Sequence, residues 1–242
     1  GNLVLSGIRR FITERIVYQS EFSRVWWNQR FGNIHKIYSV VHNGVDLETY
    51  SPAGQVPGQT YRLLVVEGTM GGGYESGLEN AVRLAEAAAR LVSRPLELVV
   101  TGEVGPKLKA EWTAKSAVPI TWTGLVKRES IPQLMREAHA LFSADVHPAC
   151  PNSVIEALAC GLPVVAYDTG SLAELVTPEA GFVAPYGSNS WKLEAPVVEP
   201  LARGLVEVLE NQEKFRAGAR QRAESAFGLQ AMMEKYLEAL LG

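Results

Sequence analysis

From residue 61 onward, short uninterrupted apolar runs alternate with longer segments whose apolar positions recur every three or four residues. Arg62 leads into Leu63, Leu64, Val65 and Val66, which read as a buried strand. Further strands are predicted at 96–100, 120–123, 140–143, 163–167 and 181–184. Between the first two, residues 77–92 place Leu78, Ala81, Val82, Ala85, Ala88 and Ala89 on one helical face. Helices are also expected at 106–116, 129–139, 152–160, 171–176, 198–211, 212–226 and 229–241. Strands apolar throughout, alternating with helices, predict a parallel sheet covered on both faces. The fold class is therefore α/β, a doubly wound Rossmann-like sheet. Such sheets bind ligands beyond the carboxyl ends of their strands. Three loops fall there: 67–76, 124–127 and 146–153.

The first sixty residues follow a different pattern. Residues 8–30 are basic and aromatic, with five Arg against two Glu and with Phe11, Phe22, Trp26 and Trp27. The Trp and Arg cluster allows a membrane-surface helix. However, residues 17–20 fit a strand better, which leaves Trp26 and Trp27 exposed. A strand at 36–41, a turn at His42-Asn43-Gly44-Val45-Asp46 and a Pro/Gly-rich loop at 51–58 follow. These residues do not make a complete domain and read as the tail of a preceding one. The expected division is 1–35 as that remnant, 36–60 as strand and linker, and 61–242 as the ligand-binding domain with its C-terminal helices. Leu201, Leu205, Val208, Leu209, Met232, Tyr236, Leu237 and Leu240 are expected to serve core and interdomain packing.

Composition narrows the classes without changing the fold. The 242 residues are 47% hydrophobic and 20% charged, with a net charge of -3. That balance gives no electrostatic footprint for nucleic acid. No apolar run reaches the ~18 residues a membrane span needs, and the start resembles no secretory signal. Cys150 and Cys160 would lie roughly 15 Å apart along a helix, beyond disulfide reach. Two free thiols and a reducing, cytoplasmic setting are expected. The two Cys and the scattered His35, His42, His139 and His147 do not match zinc spacing, so no metal site is expected.

The most informative stretch is Cys150-Pro151-Asn152-Ser153-Val154-Ile155-Glu156-Ala157-Leu158-Ala159-Cys160-Gly161-Leu162-Pro163-Val164-Val165-Ala166. It reads as a loop, a short helix with one glutamate, and a buried strand. A helix N-terminus at Pro151, Asn152 and Ser153 suits a phosphate. The Glu156 carboxylate suits paired sugar hydroxyls. Together they point to a nucleotide-sugar site.

That stretch closely resembles the most diagnostic segment of the retaining glycosyltransferases with two Rossmann-like domains, the GT-B architecture. The nearest subgroup is the large family 4, the group 1 enzymes. His42-Asn43-Gly44-Val45-Asp46 resembles its interdomain Pro-Asn-Gly-Val-Asp segment, with His in place of Pro. Thr169-Gly170-Ser171-Leu172-Ala173-Glu174 resembles its Gly-Gly-x-x-Glu block, and Gly181-Phe182-Val183-Ala184-Pro185 the turn and strand after it. Ser20-Glu21-Phe22 is similar to a signature at the last strand of the acceptor domain. The resemblance covers nearly the whole chain. It implies one GT-B half with a partial segment of the other, and a fragment inactive by itself.

The resemblance implies that Glu156 grips the ribose. It places a second glutamate, facing the transferred sugar, at position 148, where this chain has Pro148. Asp145 and His147 are nearby substitutes, although a strand-end and a loop-filling role fit them better. The family's Arg and Lys facing the diphosphate match Thr69 or Met70 and Ser76, so the loop has no cation. Backbone N–H groups of the 71–73 run and of the helix at Asn152 remain for phosphate. Gly68, Thr69, Gly72 and Ser76 are therefore candidate donor contacts. Val126 is expected against the nucleobase. Lys127 and Glu103 lie near the cleft; Lys127 reads equally as a solvated helix-start charge, and a surface loop charge fits Glu103 slightly better.

The implied function is donor binding in a retaining, metal-independent transferase. No cofactor is expected; the substrate is a UDP-, GDP- or ADP-linked sugar, and the acceptor is unknown. Peripheral membrane association of the full-length protein stays open. So does the alternative of a non-catalytic relative that binds a ligand or partner without turnover. No side chain is assigned as catalytic.

Overall fold

The computed structural model describes residues 1–54, 57–71 and 75–242. Its main sheet has six parallel strands in the order β5-β4-β3-β6-β7-β8. In chain order these are β3 (Tyr61–Thr69), β4 (Leu96–Glu103), β5 (Ile120–Gly124), β6 (Ala140–Phe142), β7 (Val164–Tyr167) and β8 (Gly181–Ala184). The order runs outward from β3 to one edge and from β6 to the other. The chain therefore reverses direction across the sheet between β3 and β6, and this switch point is where a doubly wound sheet opens a crevice.

Alternate strand residues face opposite layers. Leu63 and Val65 pack with Leu78, Val82 and Ala85 of α3 (Glu75–Ala89) and with Leu201, Leu205 and Val208 of α8 (Val198–Glu210). Leu64, Leu141 and Val164 pack on the other side with Val154, Ile155 and Leu158 of α6 (Asn152–Ala159) and with Ala219 and Ala223 of α9 (Gln212–Ala226). The strands are apolar throughout because both of their faces are covered. Around them, α4 spans Pro106–Lys115, a 3-10 turn at Arg128–Ser130 leads into α5 (Ile131–Glu137), and α7 is the single turn Leu172–Leu175.

The N-terminal residues form α1 (Asn2–Phe11) and a β-α-β unit. In that unit, β1 (Arg15–Tyr18) pairs in parallel with β2 (Ile37–Val40) around α2 (Glu21–Phe31). The predicted strand at 17–20 ends at Tyr18, because Ser20 turns extended and caps α2: its hydroxyl accepts from the Ser23 N–H at 3.1 Å. Trp26 and Trp27 are half-buried rather than exposed. They pack on each other and on Phe31 with ring centroids 5.0–6.0 Å apart. Large exposed apolar side chains of this unit include Leu3, Val4, Leu5, Phe11 and Ile12, on and just after α1, and Ile37 and Tyr38 on β2.

The C-terminal helix α10 (Leu229–Leu241) also departs from expectation. Met232 packs against Gly44, but Leu237 and Leu240 face solvent. Among the described residues, no helix is long and apolar enough to cross a membrane.

Candidate functional site

At the switch point, the ends of β3, β4 and β6 meet the turn after β5 and the start of α6. They enclose a cleft of about 400 Å³. Its walls carry Glu67 and Gly68 from β3, Thr101 and Gly102 from β4, and Leu125, Val126 and Arg128 after β5. Asp145 follows β6, and Pro151, Asn152, Ser153 and Glu156 come from the start of α6. Six of the nine expected contacts therefore converge: Gly68, Val126, Pro151, Asn152, Ser153 and Glu156. Thr69 does not line the cleft. It sits exposed at the end of β3, and its hydroxyl accepts from the Gly71 N–H at 3.3 Å. Ser76 lies within the first turn of α3, half-buried and away from the cleft walls. Gly72 lies outside the described residues. Glu103 and Lys127 are exposed and do not line the cleft.

Local sequence explains why α6 starts where it does. Pro151 supplies the N-cap in an extended conformation, so the first helical N–H groups have no intrahelical partner. Asn43, in the segment after β2, fixes this loop. Its backbone N–H donates to Cys150 Sγ at 3.3 Å, and its side-chain amide donates to Cys150 O at 3.0 Å and Asn152 Oδ1 at 2.8 Å. At the far end, Arg220 donates to the Ala159 carbonyl at 2.7 Å and the Tyr50 carbonyl at 3.0 Å, tying the segment around Tyr50 to the helix.

Glu156 projects from α6 into the cleft with its side chain 14% exposed. Burial raises its pKa, against the opposing influence of Tyr50 and Arg128. The Arg128 guanidinium lies 3.5 Å from its carboxylate and is itself 79% exposed. Tyr50 Oη lies beside this pair, buried and without a well-formed hydrogen bond. The same Arg128, Asn152 and Glu156 also line a neighbouring cleft of about 300 Å³ with Tyr50 and Asp46. Arg128 was not singled out from sequence. The signal available was its place in the loop after the third predicted strand, next to Val126.

Pro148, where the resemblance leads one to expect a glutamate, has surroundings built around the backbone. Gly170, at φ +59°, lies so close that an added Cβ would meet Pro148 N and O at 2.5 Å. The Ser171 N–H donates to Pro148 O at 3.0 Å. His147 adopts φ +60° and stacks on Trp191 at 3.7 Å, with Phe22 near-parallel at 6.1 Å. Burial lowers the His147 pKa. Of the two suggested substitutes for the missing glutamate, Asp145 lines the cleft and His147 is occupied in this ring stack.

Two carboxyls, Glu67 and Asp145, face the cleft floor. Burial, and secondarily the Asp145 charge, push Glu67 up to about 8; burial also raises Asp145. Both cysteines are free and buried. Among the described residues, no cluster of three or more His, Cys, Asp or Glu is placed to hold a metal ion.

This arrangement agrees with a sequence-family match over residues 68–211, described as glycosyl transferases group 1. The chain belongs to the group 1 glycosyltransferases. As a group 1 glycosyltransferase it is 30% identical over 193 residues to a GDP-mannose-dependent alpha-(1-6)-phosphatidylinositol dimannoside mannosyltransferase of Mycobacterium tuberculosis. That alignment covers 75% of this chain and 46% of the relative, so the chain spans about half the length of the curated relatives it matches. Solved structures share the fold of this group 1 chain. Anabaena HepE crystallised with UDP superposes with a TM-score of 0.79 at 17% identity, covering 99% of this chain and 66% of HepE. A glycosyltransferase from Rickettsia africae ESF-5 gives 0.75 at 18% identity, covering 99% and 68%. The parallel six-stranded sheet flanked by helices matches the GT-B Rossmann-like fold of these neighbours.

Proposed function

We propose that the switch-point cleft binds the nucleotide portion of a nucleotide-sugar donor, and that the protein transfers that sugar to an acceptor. The observation that carries this reading is the position of Glu156. Its buried carboxylate shares one cleft with the free N–H groups at the start of α6 and with the apolar turn at Leu125 and Val126. A carboxylate accepts from two adjacent ribose hydroxyls. A helix N-terminus stabilises the diphosphate. Apolar residues beyond β5 flank a base. Pro151, Asn152, Ser153 and Gly68 line the phosphate end.

The reaction class that goes with this reading is the retaining, metal-independent family 4 chemistry. The departing diphosphate helps to accept the proton of the attacking acceptor hydroxyl, and no side chain of this chain acts as nucleophile. The relatives support a nucleoside diphosphate donor. One acts with GDP-mannose and a structural neighbour holds UDP. Residues 1–35 are the part assigned to the acceptor side, with 36–60 as linker.

A second reading, donor binding without turnover, is favoured by two observations. Pro148 stands where the family resemblance implies a glutamate, and no Lys or Arg lies between Glu67 and Ser76. The full-length protein incubated with UDP-, GDP- and ADP-linked sugars separates the two. Release of free nucleoside diphosphate, through transfer or slow donor hydrolysis, supports the transferase. Tight binding with no nucleoside diphosphate released from any of the three supports the second reading.

A further inference from the structure

Among the described residues, the cleft carries Glu67, Asp145 and Glu156 against a single cation, Arg128. A diphosphate entering such a cleft meets strong like-charge repulsion unless at least one acid is uncharged. Burial favours the uncharged form of all three, and Glu67 also faces the charge of Asp145. Glu67 stands at a β-bulge: Val66 pairs with Thr101 and Thr69 with Glu103, so Glu67 and Gly68 together oppose Gly102 alone. Bulges redirect side chains. This one depends on Gly102, at φ +140°, where a Cβ would come 2.3 Å from the Glu67 carbonyl oxygen. Among the described residues, no cation pairs with Glu67 or Asp145. Glu67 faces Asp145 from the loop after β6, and lies in the same cleft as Arg128 and Glu156.

We propose that Glu67 binds the donor as a neutral carboxylic acid, its O–H donating a hydrogen bond to a diphosphate oxygen. This rests on the donor-site reading above and identifies the group that stands in for the absent Lys and Arg. The hydrogen bond is charge-assisted through the phosphate. It adds a donor where a carboxylate would repel. Burial and the facing Asp145, which hold Glu67 near 8, keep it protonated at neutral pH. Ionisation at higher pH removes the donor and adds a charge.

Calorimetric titration of this chain with UDP, GDP and ADP at pH 7 and pH 9 tests the proposal on wild type, Glu67→Gln and Glu67→Ala. Circular dichroism confirms folding of each. For the nucleotide that binds, wild-type affinity falls about tenfold between the two pH values, the change expected for a group titrating near 8. Glu67→Gln keeps a neutral N–H donor and changes by less than about threefold, although it shares any ionisation of the base. Glu67→Ala at pH 7 loses about fivefold or more. Parallel pH profiles for wild type and Glu67→Gln overturn the proposal, as does unchanged affinity in Glu67→Ala. If none of the three nucleotides binds wild type at either pH, the donor-site reading itself falls. Binding that ignores Glu67 removes only this inference.

Discussion

The Arg128 guanidinium lies 3.5 Å from the Glu156 carboxylate, where two neighbouring clefts share both residues. Because Arg128 is largely exposed, this pair adds little to folding. Its effect falls on the cleft's electrostatics, where it is the only cation lining the wall among the described residues.

Replacing Arg128 with Ala is therefore expected to weaken nucleoside diphosphate binding about tenfold at low salt, with a smaller loss at high salt. The unfolding midpoint in urea should stay nearly unchanged. Isothermal calorimetry at two ionic strengths, beside urea denaturation, measures both. A large drop in stability with unchanged binding would show that Arg128 serves the fold.

Glu174 joins the main sheet's side of the protein to the N-terminal β-α-β unit. Its carboxylate accepts from the Glu21 N–H at 2.8 Å and the Phe22 N–H at 2.5 Å, at the start of α2. It also lies 3.6 Å from His42 Nε2. Glu174→Ala removes the acceptor for two helix N–H groups and should destabilise α2 by about 1–3 kcal/mol. Hydrogen exchange would then speed up across α2 while β3 and β4 keep their protection. Equal loss of protection in all three would contradict a local role.

His139 sets an acid limit on stability. It is 2% exposed, and its Nδ1 accepts from the Arg62 N–H at 3.1 Å, which requires the neutral ring. Burial, with nearby arginines, lowers it to about 4. The unfolded chain takes up this proton near 6.5 and the folded chain does not. The group therefore costs nothing above 6.5 and removes stability as pH falls from there to about 4, by up to about 3 kcal/mol. Urea unfolding of wild type and His139→Asn across that window checks this. Asn offers an acceptor without a proton to gain, so its curve should be flatter. Identical slopes would show that other groups carry the acid response.

The order of strands and helices in the main sheet was readable because strands such as 63–66 are buried on both faces, while α3 shows one apolar face. The place of Glu156 was readable because one short segment encodes loop, helix and strand together. Arg128 was hidden because its partner is brought close only by packing of the 3-10 turn against α6. Thr69 and Ser76 were expected at the cleft by position along the loop. Strand bulging at Glu67 turns the chain so that Glu67 and Gly68 face the cleft instead. The stack of His147 on Trp191 joins segments that no local pattern links. In α10, helical spacing of apolar residues was read as packing, yet Leu237 and Leu240 face solvent.

Titration of UDP, GDP and ADP into wild type and Glu156→Ala by calorimetry addresses the donor site most directly. At least one nucleotide should bind wild type with one-to-one stoichiometry. The folded Glu156→Ala variant should bind it more weakly by about 1.5–3 kcal/mol, the contribution of charge-assisted hydrogen bonds to the ribose. No binding of any nucleotide to wild type, or equal affinity in the variant, would contradict the placement of a nucleotide-sugar donor on Glu156.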